Sequence, residues 1–541
     1  MEILAVRDLS FSYAGEKEKT LDGISFTLEK GDFAVLCGAT GSGKSTLLRM
    51  LKRELTPRGE TEGTVLFRGR ELSALTPREA AAGIGFVAQR PDQQLVTDRV
   101  WHELAFGLEN IGCSGAEMHR RVAETAQFFG LEELFDSRTD ELSGGQKQTV
   151  NLAAVTAMRP ELLLLDEPTA YLDPVAASAF LSAVARLNRE TGMTVLIAEH
   201  RLEEALPPAT KALIMEKGRL IRCGTPREVC ADTDIGETAA GAMPAAVRLY
   251  KANPAGDACP VTVAEGRAWL EKHFDAEKEP RPAPEAAAEQ KEEALSFREV
   301  YFRYSRTGSD VLRGASFTVR RGEIFCLMGG NGSGKTTALK AAAGLIAPYS
   351  GEIRLFGKKL KEYKNGTLYR HGVAMLPQDP QTLFLKASVR EELADSGMKP
   401  EELPFDLSAL LDRHPYDLSG GEQQLLALAK VLAAEPKLLL LDEPSNGLDP
   451  VWKARIIQIL KDLKKQGITV VPVTHDTEFA AEAADRCALF FRGGAASVGE
   501  PRDFFAGNHF YTTAVSRITR GIFAGCVTVG DAAARCAERK R

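Results

Sequence analysis

The chain contains no run of 18 apolar residues, so no segment of it reads as a membrane span. Its opening stretch, "MEILAVRDLSFSY", places Glu2, Arg7 and Asp8 where a secretory leader needs an uninterrupted apolar core. Cys-x-x-Cys is also missing, and the cysteine count of nine is odd: Cys37, Cys113, Cys223, Cys230, Cys259, Cys326, Cys487, Cys526 and Cys536. Scattered reduced thiols are therefore expected in place of a disulfide or metal framework. Nor does one sign of charge dominate. The 68 Lys and Arg nearly offset the 74 Asp and Glu, leaving a formal net charge of −6. That balance gives no global support to a polyanion partner, and no nucleic acid is expected. The expectation left standing is a cytosolic or membrane-peripheral protein. Bulk, in contrast, is present: 541 residues with 44% apolar and 26% charged content can bury real cores. A chain of this length implies roughly two to four domains.

Two stretches carry the clearest chemistry, "CGATGSGKST" at Cys37–Thr46 and "MGGNGSGKTT" at Met328–Thr337. Each has the form Gly-x-x-x-x-Gly-Lys-Ser/Thr. Short apolar strands, "DFAVLC" and "EIFCLM", lead in, and the helix formers "KSTLLRML" and "KTTALKAA" lead out. Gly38, Gly41 and Gly43, like Gly329, Gly332 and Gly334, let the backbone curl so that its N–H groups face phosphates. Lys44 and Lys335 are placed to reach the β and γ phosphates of ATP, and the Ser45 and Thr336 hydroxyls to hold Mg²⁺. Thr46 and Thr337 close the two loops.

The loops are part of a longer duplication. Tyr13 aligns with Tyr304, Gly38 with Gly329, Gln89 with Gln378, Leu142 with Leu418, Asp166 with Asp442 and His200 with His475. The register changes appreciably in one place: 53 positions separate Gln89 from Leu142, against 40 from Gln378 to Leu418. Two copies of one domain are expected, the second trimmed in that subregion. Between them lies "DAEKEPRPAPEAAAEQKEEA", Asp275–Ala294, whose composition reads as a solvated linker. A basic tail with Arg517, Arg520, Arg535, Arg539, Lys540 and Arg541 reads as a solvated terminal helix and end, with a docking patch as the alternative.

Each copy has a second apolar strand ending in acid, "LLLLDEP". Paired carboxylates at a buried strand end belong beside phosphates rather than in a core. Asp166 and Asp442 suit a Mg²⁺ shell, and Glu167 and Glu443 suit a base that polarises attacking water. Some 20 residues upstream come "LSGGQ" and "LSGGE", where Ser143, Gly144 and Gly145, or Ser419, Gly420 and Gly421, open a long helix.

This set resembles the ATP-binding-cassette (ABC) ATPases across both halves. The resemblance implies two cassettes facing head to tail within the chain, Lys44 working with the Ser419 motif and Lys335 with the Ser143 motif. It also implies that Tyr13 and Tyr304 stack on adenine, that Gln89 and Gln378 sense Mg²⁺ and water, and that His200 and His475 attend the γ-phosphate. Asp173 and Asp449 match the loop that communicates across the pair. Pro472, inside "TVVPVTH", departs from what a buried strand wants, and a bulge or edge position is expected there.

After the glutamines, "QRPDQQLVTDRVWHELAFGLEN" and "QDPQTLFLKASVREELADSG" keep Val100 and Val389, and Glu103 and Glu392, in register. This resembles the energy-coupling-factor (ECF) subgroup, with "ADSG" in the second copy departing from "AFG" in the first. "EHRLEEAL" and "FFAGNHFYTTAVSR" look like single-chain double ATPases of that subgroup. What this implies is an α/β protein of two tandem phosphate-loop cassettes, residues 1–272 and 295–541, with an acidic linker at 273–294. It would power uptake of a vitamin (a thiamine precursor among them) or a transition-metal ion from the cytoplasmic membrane face. Its partners would be a transmembrane coupling subunit and a substrate-binding membrane subunit. Asp92, Asp98 and Glu103, with Asp379, Glu391 and Glu392, are expected to capture cations of the coupling subunit. A double-cassette sugar importer and a ribosome-associated double cassette are the alternatives. Both motif sets being intact counts against the first, and the short acidic linker against the second.

Overall fold

The computed structural model describes residues 1–16, 18–232, 234–256, 258–277, 292–363, 366–370 and 372–540. Most of the expected linker, 278–291, lies outside the described residues. The chain forms two compact units, one of Met1–Lys251 with Asp257–Thr262, the other of Ala252–Gly256 with Val263–Arg541.

In the first unit a four-stranded antiparallel sheet runs Leu21–Glu29, Glu2–Tyr13, Gly59–Phe67, Arg70–Glu71. A six-stranded sheet follows the order Arg219–Gly224, Lys211–Glu216, Phe33–Gly38, Thr194–Ala198, Leu162–Asp166, Ile84–Val87. Its last five strands are parallel, and Arg219–Gly224 closes one edge antiparallel. Every residue of Phe33–Gly38 and Leu162–Asp166 is buried, as parallel strands covered on both faces must be. The second unit repeats both sheets, the larger in the order Gly494–Gly499, Arg486–Phe491, Phe325–Met328, Thr469–Thr474, Leu438–Asp442, Val373–Leu376. In each unit the strand entering the phosphate loop sits where the strand order switches. Open α/β sheets bind ligands at the carboxyl ends of strands there.

Pro472 is neither at an edge nor in a bulge. It lies in Thr469–Thr474, between Leu438–Asp442 and Phe325–Met328, and pairs in continuous register with Leu441. Val470 N–H donates toward the phosphate-loop strand, to Glu323 O, and Pro472 shares that orientation two residues on. The missing N–H falls on that side, where ladder pairing resumes only at Leu327↔Val473. The first unit has four consecutive partners at this place, Phe33↔Val195 to Leu36↔Ala198.

The helical subregions account for the trimming. The first unit packs helices Val100–Asn110, Gly115–Phe129 and Gly144–Ala157 around Leu104, Leu108, Val122, Ala126, Val150 and Ala153. The second has Val389–Ser396 and Gly420–Leu432, and only the short turns Pro400–Glu402, Ser408–Leu410 and Pro415–Asp417 between them. A whole helix has been removed.

Glu103 and Glu392 do not face outward. Glu103 is 5% exposed and accepts from Val96 N, Thr97 N and Thr97 Oγ1 at 2.8–3.1 Å. Glu392 is fully buried, accepts from Leu385 N and Lys386 N, and pairs with Lys430. The loop after each glutamine directs backbone N–H groups inward, and an acid one helical turn on collects them. Their shared register therefore reflects a duplicated clamp, and not a row of acids for a partner. Asp92, Asp98, Asp379 and Glu391 remain at the surface, with Asp92 paired to Lys147.

The basic tail is packed rather than solvated. Helices Ala514–Thr519 and Val529–Glu538 bury Val515, Ile518, Ala532 and Cys536, and Ile522, Phe523 and Val527 between them are buried too. They assemble with helix Val263–His273, expected to close the first cassette, which belongs instead to the second unit. Trp269 and Leu270 are buried there, Phe274 bridges to Lys540, and Asp275 N–H donates to Arg539 O. Glu277 is anchored by Arg535 at 3.2 Å and by Ala524 N at 2.8 Å. Among the described residues no cysteine is joined in a disulfide. Among the described residues no helix is long and apolar enough to cross a membrane.

The Glu392 clamp gives a stability test. Glu392→Ala leaves Lys430 and two backbone donors without their carboxylate, and removing one partner of a buried pair costs about 3–5 kcal/mol. Urea unfolding should show a loss of that size, whereas Glu391→Ala, at an exposed neighbour, should fall within about 0.5 kcal/mol of wild type.

Candidate active site

In both units the switch-point strand turns into a tight loop. Gly38 has φ +156, and a Cβ there would collide with the Met215 carbonyl. Gly43, at φ +97, would set a Cβ 2.9 Å from Thr20 O and from the Leu21 side chain. Only glycine fits this curl. Inside it Lys44 Nζ donates to Gly38 O and Ala39 O at 3.0 Å and lies 3.5 Å from Glu167 Oε1. Lys335 Nζ repeats the first pair of bonds, to Gly329 O at 2.9 Å and Gly330 O at 3.0 Å.

Ser45 Oγ donates to Asp166 Oδ1 at 2.8 Å, and Thr336 Oγ1 to Asp442 Oδ1 at 3.0 Å. Burial, reinforced by the neighbouring Glu167, pushes the Asp166 carboxyl up to about 6. Asp442 is pushed to about 6 by burial in the same way, against the Thr336 hydrogen bond and with Glu443 adding to it. Burial alone would raise Glu167 too, but His200 and then Lys44 hold it at about 2. Both glutamates leave their strands in left-handed backbone, φ 43 at Glu167 and 51 at Glu443. Conformations that non-glycine residues rarely adopt cluster at functional sites.

The structure brings most of the expected residues together. Glu167 accepts from His200 Nε2 through Oε1 and from Gln89 Nε2 through Oε2, both at 2.9 Å. At Glu443 it is His475 Nδ1 that lies 3.0 Å from Oε2. Among the described residues Gln378 makes no hydrogen bond to Glu443. Tyr13 Oη meets Thr46 Oγ1 at 3.0 Å and Tyr304 Oη meets Thr337 Oγ1 at 3.2 Å, so each ring borders its loop. Tyr304 is 63% exposed and Tyr13 less so, both on the edge of an inner phenylalanine. Ser143 and Ser419 cap their helices in reciprocal boxes with Gln146 and Glu422. Gly144 and Gly420 have open space around them, whereas a Cβ at Gly145 would lie 3.1 Å from Ala176 and one at Gly421 would overlap the Trp452 indole. Asp173 and Asp449 cap the helices Pro174–Thr191 and Pro450–Lys465.

Two residues escaped the sequence reading. Glu199 is buried between the His200 turn and the Asp166 strand, and Trp452 packs on the second Ser-Gly-Gly motif. The signal for Glu199 was visible as an acid in "IAEH" with no counterpart in "PVTH".

These residues fit a nucleotide triphosphate. Ser42 Oγ and Ser333 Oγ are buried in the loops with no partner among the described residues, donors in place for phosphate oxygens. A hydroxyl beside a buried carboxylate also fits a small hard cation. No group of three His, Cys, Asp or Glu that could hold a metal occurs among the described residues. That donor set suits Mg²⁺, which is commonly held by one or two carboxylates with substrate phosphates.

The raised Asp166 carboxyl has a measurable sign. Its folded value of about 6 exceeds the unfolded 3.8, so its ionisation opposes folding. The penalty is absent below 3.8, grows between the two values and is complete above about 6. Asp166→Asn should therefore stabilise the nucleotide-free protein by about 2–3 kcal/mol at pH 8, and by less at pH 5. Thermal unfolding at the two pH values checks this.

The sequence profile described as "ABC transporter" matches residues 21–170 and 312–446. A candidate ABC transporter ATP-binding protein of Bacillus thuringiensis subsp. konkukian is 40% identical over 526 residues, 95% of both chains. One from Streptomyces avermitilis is 36% identical over 554 residues, 95% of this chain and 97% of its own. Among solved structures, CbiO1 of Clostridium perfringens, part of the ABC transporter complex CbiONQ, is 33% identical. It covers 43% of this chain and 92% of its own, with a TM-score of 0.40. The archaeal ribosome recycling factor aABCE1, solved with ribosomal stalk protein aP1, is 22% identical at a TM-score of 0.58. It covers 92% of this chain and 91% of its own, a likeness of fold alone. With both phosphate-loop halves matched and relatives aligned along nearly the whole chain, this protein belongs to the ABC transporter ATP-binding family, as an ATPase with two cassettes.

Proposed function

We propose that the protein is the energy-coupling ATPase of an ECF-type importer, held peripherally at the cytoplasmic membrane face by separate transmembrane and substrate-binding subunits. ATP binds at each phosphate loop with Lys44 or Lys335 on its β and γ phosphates and Tyr13 or Tyr304 stacked on adenine. The observation that carries the catalytic part is the Glu167 carboxylate, ionised at pH 7 and hydrogen-bonded at once to His200 and Gln89. Such a carboxylate can accept a proton from an attacking water while the histidine fixes its orientation. Ser45 and Asp166, or Thr336 and Asp442, would hold Mg²⁺, which when bound neutralises charge on the phosphates. Gln89 and Gln378 would join the residues that hold it.

The coupling part rests on the loops after the glutamines. Glu103 and Glu392 pin the backbones of Val96 and Leu385, which leave their side chains 67% and 79% exposed. Aligned apolar side chains on braced backbone are fit to receive a membrane subunit. In the first unit Trp101 and Phe106 extend this surface, whereas the second has Arg390 and Asp395 in the matching positions. Val100–Asn110 therefore offers the larger apolar contact.

Glu167→Gln and Glu443→Gln should each lower ATP turnover at least about tenfold, 1.4 kcal/mol of barrier. Wild-type turnover in either would make that site regulatory. For coupling, Val96→Asp should abolish co-purification with the membrane subunits and Leu385→Asp should weaken it less, each with ATP affinity retained. Undiminished membrane association in the double variant would reject this surface. Salt-sensitive co-sedimentation with ribosomes, with no membrane partner, would favour the soluble reading over the importer.

A further inference from the structure

The two sites differ at one buried side chain just before the histidine. Thr194–Ala198 runs into Glu199, whereas the matching residue ending Thr469–Thr474 is Thr474. Glu199 is 2% exposed, and one carboxylate serves two turns. Its Oε1 accepts from Thr169 N at 3.1 Å and Thr169 Oγ1 at 2.7 Å. Its Oε2 accepts from His200 N at 3.2 Å and, more distantly, from Arg201 N at 3.5 Å. Thr169 follows Glu167 by two residues, so Glu199 ties the turn of the base to the turn of the histidine.

In the second unit the matching pair is Ser445 and Thr474, whose hydroxyl oxygens are 3.4 Å apart. Thr474 Oγ1 accepts from Asp476 N, and His475 N turns to Glu443 Oε2 at 3.4 Å. The same oxygen lies 3.0 Å from His475 Nδ1. Backbone and ring thus converge on one oxygen of Glu443. In the first unit Glu199 takes the backbone amide, and both oxygens of Glu167 are left for the His200 ring and Gln89.

We propose that Glu199 is a positioning residue of the first ATP site, holding the His200 backbone so that the ring presents Nε2 to Glu167. The proposal rests on Glu167 being the base. Burial raises the Glu199 carboxyl above its usual range, opposed by its Thr169 bond and by Arg201. A carboxylate in such a place is unfavourable for stability, and the hydroxyl pair of the second unit shows that the fold closes without it.

Two substitutions test the idea in the full chain. Glu199→Thr copies the second unit, and Glu199→Gln is isosteric but offers one acceptor oxygen to two turns. Steady-state hydrolysis over a range of Mg·ATP concentrations, with Glu167→Gln in parallel, is paired with ¹⁵N spectra of the histidine rings. Glu199→Thr should lower kcat at least fivefold with KM within twofold of wild type, and the His200 Nε2 resonance should lose its hydrogen-bonded position. Glu199→Gln should fall between, and it decides by the same criteria if the threonine variant does not fold. A kcat within twofold of wild type, a loss carried by KM, or an unmoved His200 resonance would overturn the proposal. If Glu167→Gln turns over like wild type, the assignment of the base falls and takes this inference with it. A slow Glu167→Gln beside a normal Glu199→Thr overturns the role of Glu199 alone.

Discussion

Asp166 and Glu167 are adjacent carboxylates at the end of a strand whose other residues are four buried leucines. Two negative charges in that position repel each other and are poorly solvated, and much of the surrounding architecture manages them. From left-handed backbone the Glu167 side chain meets Lys44, His200 and Gln89. Asp166 is left with a serine hydroxyl and a raised affinity for protons. Positive charge arriving beside these carboxylates would be stabilising, which suits a cation that accompanies a triphosphate. The same economy recurs at Asp442 and Glu443 with threonine in place of serine.

Much of this was legible in the amino-acid sequence because it is local. Strand, loop and helix around Lys44 and Lys335 are contiguous, the "LLLLDEP" runs announce buried parallel strands, and the duplication lets each half support the other. The failures were long-range. Whether Glu103 faces solvent depends on where Val96 and Thr97 point their N–H groups, which spacing alone does not state. Pro472 was expected at an edge or in a bulge because proline removes a donor. Its strand instead stays central with one side of the ladder thinned, since the partner on the other side still pairs in register. The basic tail looks solvated by composition alone, because Glu277, which meets Arg535, lies across most of the second unit's sequence.

Duplication also makes the differences informative. Two sites built from matched motifs do not present the same atoms: the histidine ring meets its glutamate through Nε2 in one and Nδ1 in the other. The second Ser-Gly-Gly motif is backed by an indole where the first has a methyl group. The second unit has also lost a helix of its outer subregion. Divergence has thus reached the residues behind the matched motifs and the surface beside them, while the motif side chains themselves are kept.

The packing of Val263–His273 with Ala514–Thr519 and Val529–Glu538 has a consequence for how the chain is made. The second unit draws a helix from before residue 278 and two from beyond residue 513, so this terminal helical assembly is completed only by segments synthesised far apart in time. The first unit can complete its sheets as soon as its own strands leave the ribosome. The second must keep one amphipathic helix waiting through the translation of an entire cassette, and such waiting surfaces are where nascent chains meet chaperones.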